Sequence, residues 1–173
     1  YGASVPFIRP PEYATDSTPR SEVISHAISF YKEKGKEFDY IIFLEPTSPL
    51  RDVDDLNNAI EKLINNKSGA ESIVSVCELE GCHPAFLIKL NNGFLDFLNP
   101  NQKSQVLRRQ DLDTLYFYEG SLYISEVHSY LEKEFYHNNT LGYVVPRWKS
   151  LEIDEIEDLV MAEAIMKYKN INT

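Results

Sequence analysis

Asp39-Tyr-Ile-Ile-Phe-Leu-Glu-Pro-Thr-Ser-Pro-Leu-Arg-Asp52 joins an apolar run to a polar loop punctuated by two prolines, after which the pattern restarts as a helix. Tyr40 through Leu44 are β-branched, aromatic or leucine, too short a run for a helix of their own, and apolar on both faces. That pattern suits a strand covered on both sides in a parallel sheet. Pro46 and Pro49 remove ladder donors and fix φ, so Glu45, Thr47, Ser48 and Arg51 are presented by a stiff loop at the strand's carboxyl end. In open α/β sheets ligands bind at that edge. An ordinary strand-to-helix turn would give the same local pattern.

Upstream, three prolines between Val5 and Asp16 predict an extended, irregular segment with Arg9 and Asp16 as polar anchors. Ser17 or Thr18 can cap a helix with Pro19 in its first turn, whose inner face carries Val23, Ile24, Ala27, Ile28 and Tyr31 before Gly35. Downstream, Asp52 or Asp54 can cap a second helix with Val53, Leu56, Ala59, Ile60, Leu63 and Ile64 inward. Ser72-Ile-Val-Ser-Val-Cys77 is then a buried strand, and helix, strand, helix, strand is an α/β signature. Asn91-Asn-Gly93 between residues 85–90 and 94–98 breaks the alternation with a hairpin that leaves the main sheet.

Arg108-Arg-Gln-Asp111 follows in a polar stretch that reads equally as a solvated loop. Residues 115–125 bring the chain back to the sheet, with a short helix over 126–131 and a late strand over 141–145 whose end Trp148 can cover. Phe135 and Tyr136 are either core pegs or a wall for a ligand. Leu151-Glu-Ile-Asp-Glu-Ile-Glu-Asp158 alternates acids with aliphatics before a last helix bearing Ile156, Leu159, Val160, Ala162, Ala164 and Met166. Helix capping accounts for some of those acids. Glu152 and Asp154, two apart on an extended segment, point to one face and make a plausible site for Mg²⁺.

Composition bounds the function. A length of 173 residues accommodates one domain with a core, and 43% hydrophobic with 25% charged residues is ordinary for a soluble globular chain. A formal net charge of −10 disfavours a nucleic-acid binder, so any phosphate is expected to arrive with a divalent cation. No apolar run reaches the ~20 residues a membrane span needs. Cys77 and Cys82 lack a second pair for a zinc site and read as free thiols of a reduced, cytoplasmic protein, a disulfide closing a very small loop being the alternative.

Together the fragments Phe7-Ile-Arg-Pro, Ala14-Thr-Asp16, Phe43-Leu-Glu-Pro-Thr-Ser-Pro-Leu-Arg51, Ser75-Val, His83-Pro84, Arg108-Arg-Gln-Asp-Leu112, Tyr118-Glu-Gly-Ser-Leu-Tyr-Ile124 and Glu152-Ile-Asp154 resemble, in that order, the acylneuraminate cytidylyltransferase family. The ordered series is specific, whereas any one fragment is weak. The resemblance implies a Rossmann-like, three-layer α/β fold of the nucleotide-diphospho-sugar transferase type. It implies one domain over residues 1–173, with 82–118 as a β-hairpin dimerisation arm, and a homodimer whose subunits share sites. The activity implied is Mg²⁺-dependent transfer of CMP from CTP to the anomeric hydroxyl of a nonulosonic acid, with release of pyrophosphate.

By the same resemblance Arg109 and Asp154 are catalytic, Glu152 and Asp154 hold the metal, and Glu45, Thr47, Ser48, Arg109, Gln110, Tyr123, Phe135 and Tyr136 contact substrate. Departures are informative. Glu45 stands where sialic acid enzymes carry Gln, and because glutamate ordinarily cannot donate, a sugar presenting a donor to Glu45 is expected. Glu119 replaces an Asn before Gly120, Phe86 stands where some members have Lys, and Glu152 stands for Asp. The family's opening strand and Gly/Lys phosphate loop have no counterpart before or after Tyr1, so the chain as written is expected not to turn over CTP. Other readings are a Kdo-type cytidylyltransferase, to be separated by substrate, and a catalytically incomplete dimerisation or sugar-binding module, to be separated by the upstream reading frame.

Overall fold

Local rules place the first elements. Pro19, with φ −59°, is itself the N-cap of α1 (Arg20–Glu33), and no side chain caps the helix. The expected caps do other work: the hydroxyls of Ser17 and Thr18 lie 3.3 and 2.7 Å from Thr15 Oγ1, closing a turn ahead of the proline. Strand β1 (Tyr40–Phe43) then leads into the proline loop and α2 (Val53–Ile64). Asp52 caps α2 with a reciprocal box, its side chain accepting from Asp55 N at 2.9 Å while Asp55 accepts from Asp52 N at 3.0 Å. This computed structural model describes residues 2–81, 83–98 and 108–169, the side chain of Arg109 excepted.

Strands β2 (Ser72–Glu78), β5 (Tyr116–Glu126) and β6 (Thr140–Val145) complete a four-stranded sheet in the order β1-β5-β2-β6. Strand β5 is antiparallel to both β1 and β2, while β2 and β6 are parallel. Hence β1, β2 and β6 share one direction and end on one edge. The sheet is mixed where a parallel one was expected, because the strand returning from the hairpin excursion inserts between β1 and β2 with its direction reversed. β3 (Ile88–Asn91) and β4 (Phe94–Phe97) form a separate two-stranded sheet joined at Asn92 and Gly93, whose φ values of 50° and 85° are those the Asn-Gly turn demands.

Two apolar clusters sandwich the sheet. Ile24, Val74, Tyr123, Tyr130 and Phe135 pack on one face with Ile28 and Phe43, and Ala59, Leu63, Ile73, Leu122 and Ile124 pack on the other beneath α2. Fully burying a side chain such as Ile73 or Leu63 contributes about 1.5–3 kcal/mol. Strand β1 is not covered on both sides as its composition suggested. Ile41 and Phe43 face the first cluster, but Tyr40 and Ile42 remain 38% and 41% exposed beside a small apolar cleft against α2. In α2 the flanking Val53 and Ile64 are exposed, so the buried stripe is narrower than the periodicity implied.

α3 (Val127–Lys133) follows β5, and α4 (Ile156–Lys169) buries Ala162 while leaving Ile156, Leu159 and Val160 exposed. Trp148, after β6, sits under the ammoniums of Lys149 and Lys169 at 5.3 and 4.8 Å. Cys77 is a buried free thiol, and Cys82 lies outside the described residues. No described helix is long and apolar enough to cross a membrane.

Candidate active site

The proline loop is stapled from within. Arg51 Nη1 donates to the carbonyl oxygens of Glu45, Ser48 and Ser121 at 2.7, 2.9 and 3.3 Å, binding the loop to itself and to β5. Burial pulls the Arg51 pKa down against the attraction of Glu119 and Glu45. Leu50 and Ser48 are buried under the loop. Ile153 N donates to Thr47 O at 2.8 Å, which fastens the acidic segment after β6 directly onto the proline loop. A second latch lies beside it: Lys149 Nζ, 9% exposed, donates to Asp52 Oδ2 at 2.5 Å and Asp55 Oδ2 at 2.6 Å, tying the same segment to the cap of α2. Sequence reasoning missed Lys149, because its partners lie 94 and 97 positions away.

Strand β5 enters the site through an irregularity. Val74 pairs with Tyr123 and Val76 with Tyr118, so two steps along β2 match five along β5 and three residues are extruded. Bulges of this kind re-aim side chains beside active sites. Within it Gly120 adopts φ +81°, and a Cβ there would lie 1.6 Å from Glu152 Oε1. Glu119 is 1% exposed, with Oε1 accepting from the Ser121 hydroxyl and Oε2 without a partner among the described residues. An isolated Gly in a strand-like run was the available signal for this feature.

The carboxylates therefore crowd. Burial raises the pKa of Glu152, and repulsion from Glu45, Asp154 and Glu119 adds to it, with the Ser48 hydroxyl opposing. Ser48 Oγ, itself wholly buried, has no well-formed hydrogen bond among the described residues. Asp154 is exposed, and its backbone N–H donates to Asp158 Oδ2 at 3.1 Å, so Asp158 serves the chain turn into α4. Among the described residues no group of three or more His, Cys, Asp or Glu side chains is arranged to hold a metal ion. The metal pair expected from spacing stands as two carboxylates, not a closed cage.

Beside Glu45 lies an aromatic cluster, bridged to it by Arg20. Tyr123 packs on Phe43, Phe135 and Tyr136, with ring centroids 5.8, 5.3 and 6.0 Å apart. Burial, together with the Tyr136 hydroxyl, keeps Tyr123 protonated by raising its pKa far above the usual phenol value. Phe135 is 2% exposed and belongs to the core, whereas Tyr136 is 40% exposed and stacks on Tyr118 at 4.4 Å. Phe135 is thus a core peg behind Tyr123, while Tyr136 stays half-exposed beside Tyr118.

Arg20, which sequence reasoning also missed, completes this side: its Nη1 donates to Glu45 Oε1 at 2.6 Å, and its Cζ lies 4.6 Å from the Tyr123 ring and 5.2 Å from that of Phe43. Glu45, expected to meet a donor presented by the sugar, takes one from Arg20 within the chain. Gln110, in a short helical turn, lines a separate groove of about 340 Å³ with Glu78, His83 and Leu112 and is not brought to the loop. The side chain of Arg109 lies outside the described residues.

A central α/β sheet with a polar site at the carboxyl ends of its co-directional strands is compatible with a Rossmann-like nucleotidyltransferase fold. The chain belongs to the acylneuraminate cytidylyltransferase family, a family of nucleotidyltransferases. It is 31% identical over 169 residues to the pseudaminic acid cytidylyltransferase of Campylobacter jejuni serotype O:2, covering 96% of this chain and 71% of that one. Over 156 residues it is 31% identical to an N-acylneuraminate cytidylyltransferase of Streptococcus agalactiae, covering 88% of this chain and 35% of the relative. A Legionella pneumophila CMP-N,N'-diacetyllegionaminic acid synthase is 26% identical, with 96% and 71% covered. No family model matches the chain.

Proposed function

We propose that this chain provides the sugar side of a site transferring CMP from CTP to the anomeric hydroxyl of a nonulosonic acid, releasing pyrophosphate. In that reaction the hydroxyl oxygen bonds to the α-phosphorus, the bond to the pyrophosphate oxygen breaks, and the hydroxyl proton is lost. The observation that carries the reading is the direct fastening of the Glu152-Asp154 segment to the proline loop through Ile153 N and Thr47 O. It brings Glu152 and Asp154 to the loop that carries Glu45, which Arg20 ties to the Tyr123 and Phe43 rings, and the order of these pieces is that of the family.

The donor set proposed for Mg²⁺ is the carboxylate pair Glu152 and Asp154. Glu45, Glu119, Glu152 and Asp154 crowd together, while the guanidiniums near them are Arg20 and Arg51, leaving surplus negative charge where a hard cation would be held. Glu152 and Asp154 would hold the ion, and the ion when bound supplies charge neutralisation at the phosphates. Gly120 leaves the space that the Glu152 carboxylate occupies, and Tyr123 and Tyr136 orient the sugar by packing against it.

Arg109 and Gln110 are proposed to act across a homodimer, carried by the arm at 82–118. In support, the hairpin exposes apolar side chains on β3 and β4 alike, including Leu90 at 73%, Phe94 at 78% and Leu95 at 64%. The test is an assay of the complete protein with CTP and Mg²⁺ against pseudaminic, legionaminic and N-acetylneuraminic acids and Kdo. A nonulosonic acid as the preferred acceptor is expected; exclusive use of Kdo, or none of the four, refutes the proposal.

A further inference from the structure

We infer that Arg20 is a specificity-determining residue of this site, its guanidinium, clamped by Glu45 over the Tyr123 and Phe43 rings, pairing with the carboxylate of the acidic sugar. This rests on the cytidylyltransferase reading and adds the residue that recognises the acid group.

Arg20 is aimed by its backbone, as the first residue of α1 directly after the Pro19 cap. One guanidinium edge is fixed by Glu45 Oε1 at 2.6 Å, and the flat face lies 4.6 Å from the Tyr123 ring centroid. Rings and carboxylate together hold the group in one orientation, and a planar fork matches a carboxylate in a way an ammonium does not. The side chains of Arg20 and Glu45 are 35% and 28% exposed, so the pair is reachable from solvent instead of lying sealed in the core.

Electrostatics point the same way. An acidic sugar entering here would approach Glu45, Glu152 and Asp154, with the buried Glu119 adding negative charge behind them. The neighbouring cations are engaged elsewhere: Arg51 holds three carbonyl oxygens and Lys149 holds Asp52 and Asp55. Arg20 spends only Nη1 on its hydrogen bond to Glu45, and it is the guanidinium that lies against the Tyr123 and Phe43 rings. Burial disfavours its charge, but the Tyr123 and Tyr136 hydroxyls outweigh burial. Glu45, which alone would repel a sugar acid, becomes through this pair a clamp on the group that attracts it.

The test compares kcat/KM for a nonulosonic acid with that for its methyl ester, in which the carboxylate charge is removed, using the complete protein and N-acetylneuraminic and pseudaminic acids as probes. The unaltered protein is expected to prefer the free acid by about tenfold to a hundredfold, the range of a hydrogen bond to a charged group. Arg20→Met is expected to bring the ratio near one while changing the rate on the ester far less. Arg20→Lys, which keeps an ion pair with Glu45 and hence the local fold, is expected to lose most of the preference. A purely structural role would move acid and ester together. Retention of the full acid preference in either variant overturns the inference, whereas absence of product from every acid with the unaltered protein overturns the cytidylyltransferase reading beneath it.

Discussion

Replacing Gly120 by Ala separates what the bulge of β5 does for the site from what it does for stability. At φ +81° an alanine is strained by about 1–2 kcal/mol relative to glycine. Its Cβ would lie 1.6 Å from Glu152 Oε1 and 2.9 Å from Glu152 Cδ, so something must move. The obstructing atoms are the far end of a flexible side chain, and turning that carboxylate away from Glu45, Asp154 and Glu119 relieves repulsion. The fold should therefore survive, with Tm lowered by about 2–8 °C for a domain of this size. Misplacing the carboxylate proposed to hold the metal by an ångström or more should cost turnover about a hundredfold.

Glu152→Gln makes the complementary change. A carboxylate whose folded pKa lies above its usual value weakens the fold once ionised, and the loss sets in as pH rises from the ordinary carboxylate range through the raised value. Glu152→Gln should thus raise stability at neutral pH while lowering turnover. If Gly120→Ala acts by displacing Glu152, the double variant will be no slower than the slower single one. Tm by differential scanning calorimetry and kcat at saturating Mg²⁺ read both halves. Multiplicative losses in the double variant, or full turnover in Gly120→Ala, would refute the reasoning.

Three further outcomes are expected. Lys149→Met leaves Asp55 buried without its cation, and because Asp52 is half exposed the loss should be about 2–3 kcal/mol, short of the cost for a fully buried pair; urea denaturation measures it, and a loss below 1 kcal/mol contradicts the latch. Glu71 accepts from Lys133 and Ser129, which hold its pKa near about 2 against 4.5 unfolded, so its contribution is present above pH 4.5 and disappears as pH falls towards 2; Glu71→Gln should flatten that part of the Tm profile, and an unchanged slope counts against the assignment. Leu95→Asp on the exposed hairpin, where Leu95 pairs with Leu90, should convert the proposed homodimer to monomer in sedimentation velocity, and an unaltered protein that is monomeric, or a variant that stays dimeric, would remove the arm from the account.

The parts legible in sequence are those set by neighbours in the chain. The proline loop, the Asp52 cap of α2, the buried Ser72–Glu78 strand and the Asn-Gly hairpin follow from side-chain geometry within a few positions. The direction of β5 does not, because a strand returning after an excursion can insert either way and only its register with β1 and β2 decides. Nor do the contacts of Arg20 with Glu45, 25 positions apart, or of Arg51 with Ser121, 70 apart. Phe135 and Tyr136 show the same limit at the scale of one residue: adjacent aromatics in an irregular segment carry no period to say which turns inward. The resemblance put Glu152 and Asp154 in one site with the loop, but Glu119 and Gly120 come to Glu152 only through a bulge that no pattern of alternation announces.

The most direct measurement is phosphorus NMR of the complete protein incubated with CTP, Mg²⁺ and pseudaminic or N-acetylneuraminic acid, alongside the Asp154→Asn variant. Resonances of a CMP-sugar and of pyrophosphate growing together, and nearly lost in the variant, are the predicted result. Intact CTP with both acids, or an undiminished rate in Asp154→Asn, would contradict the account.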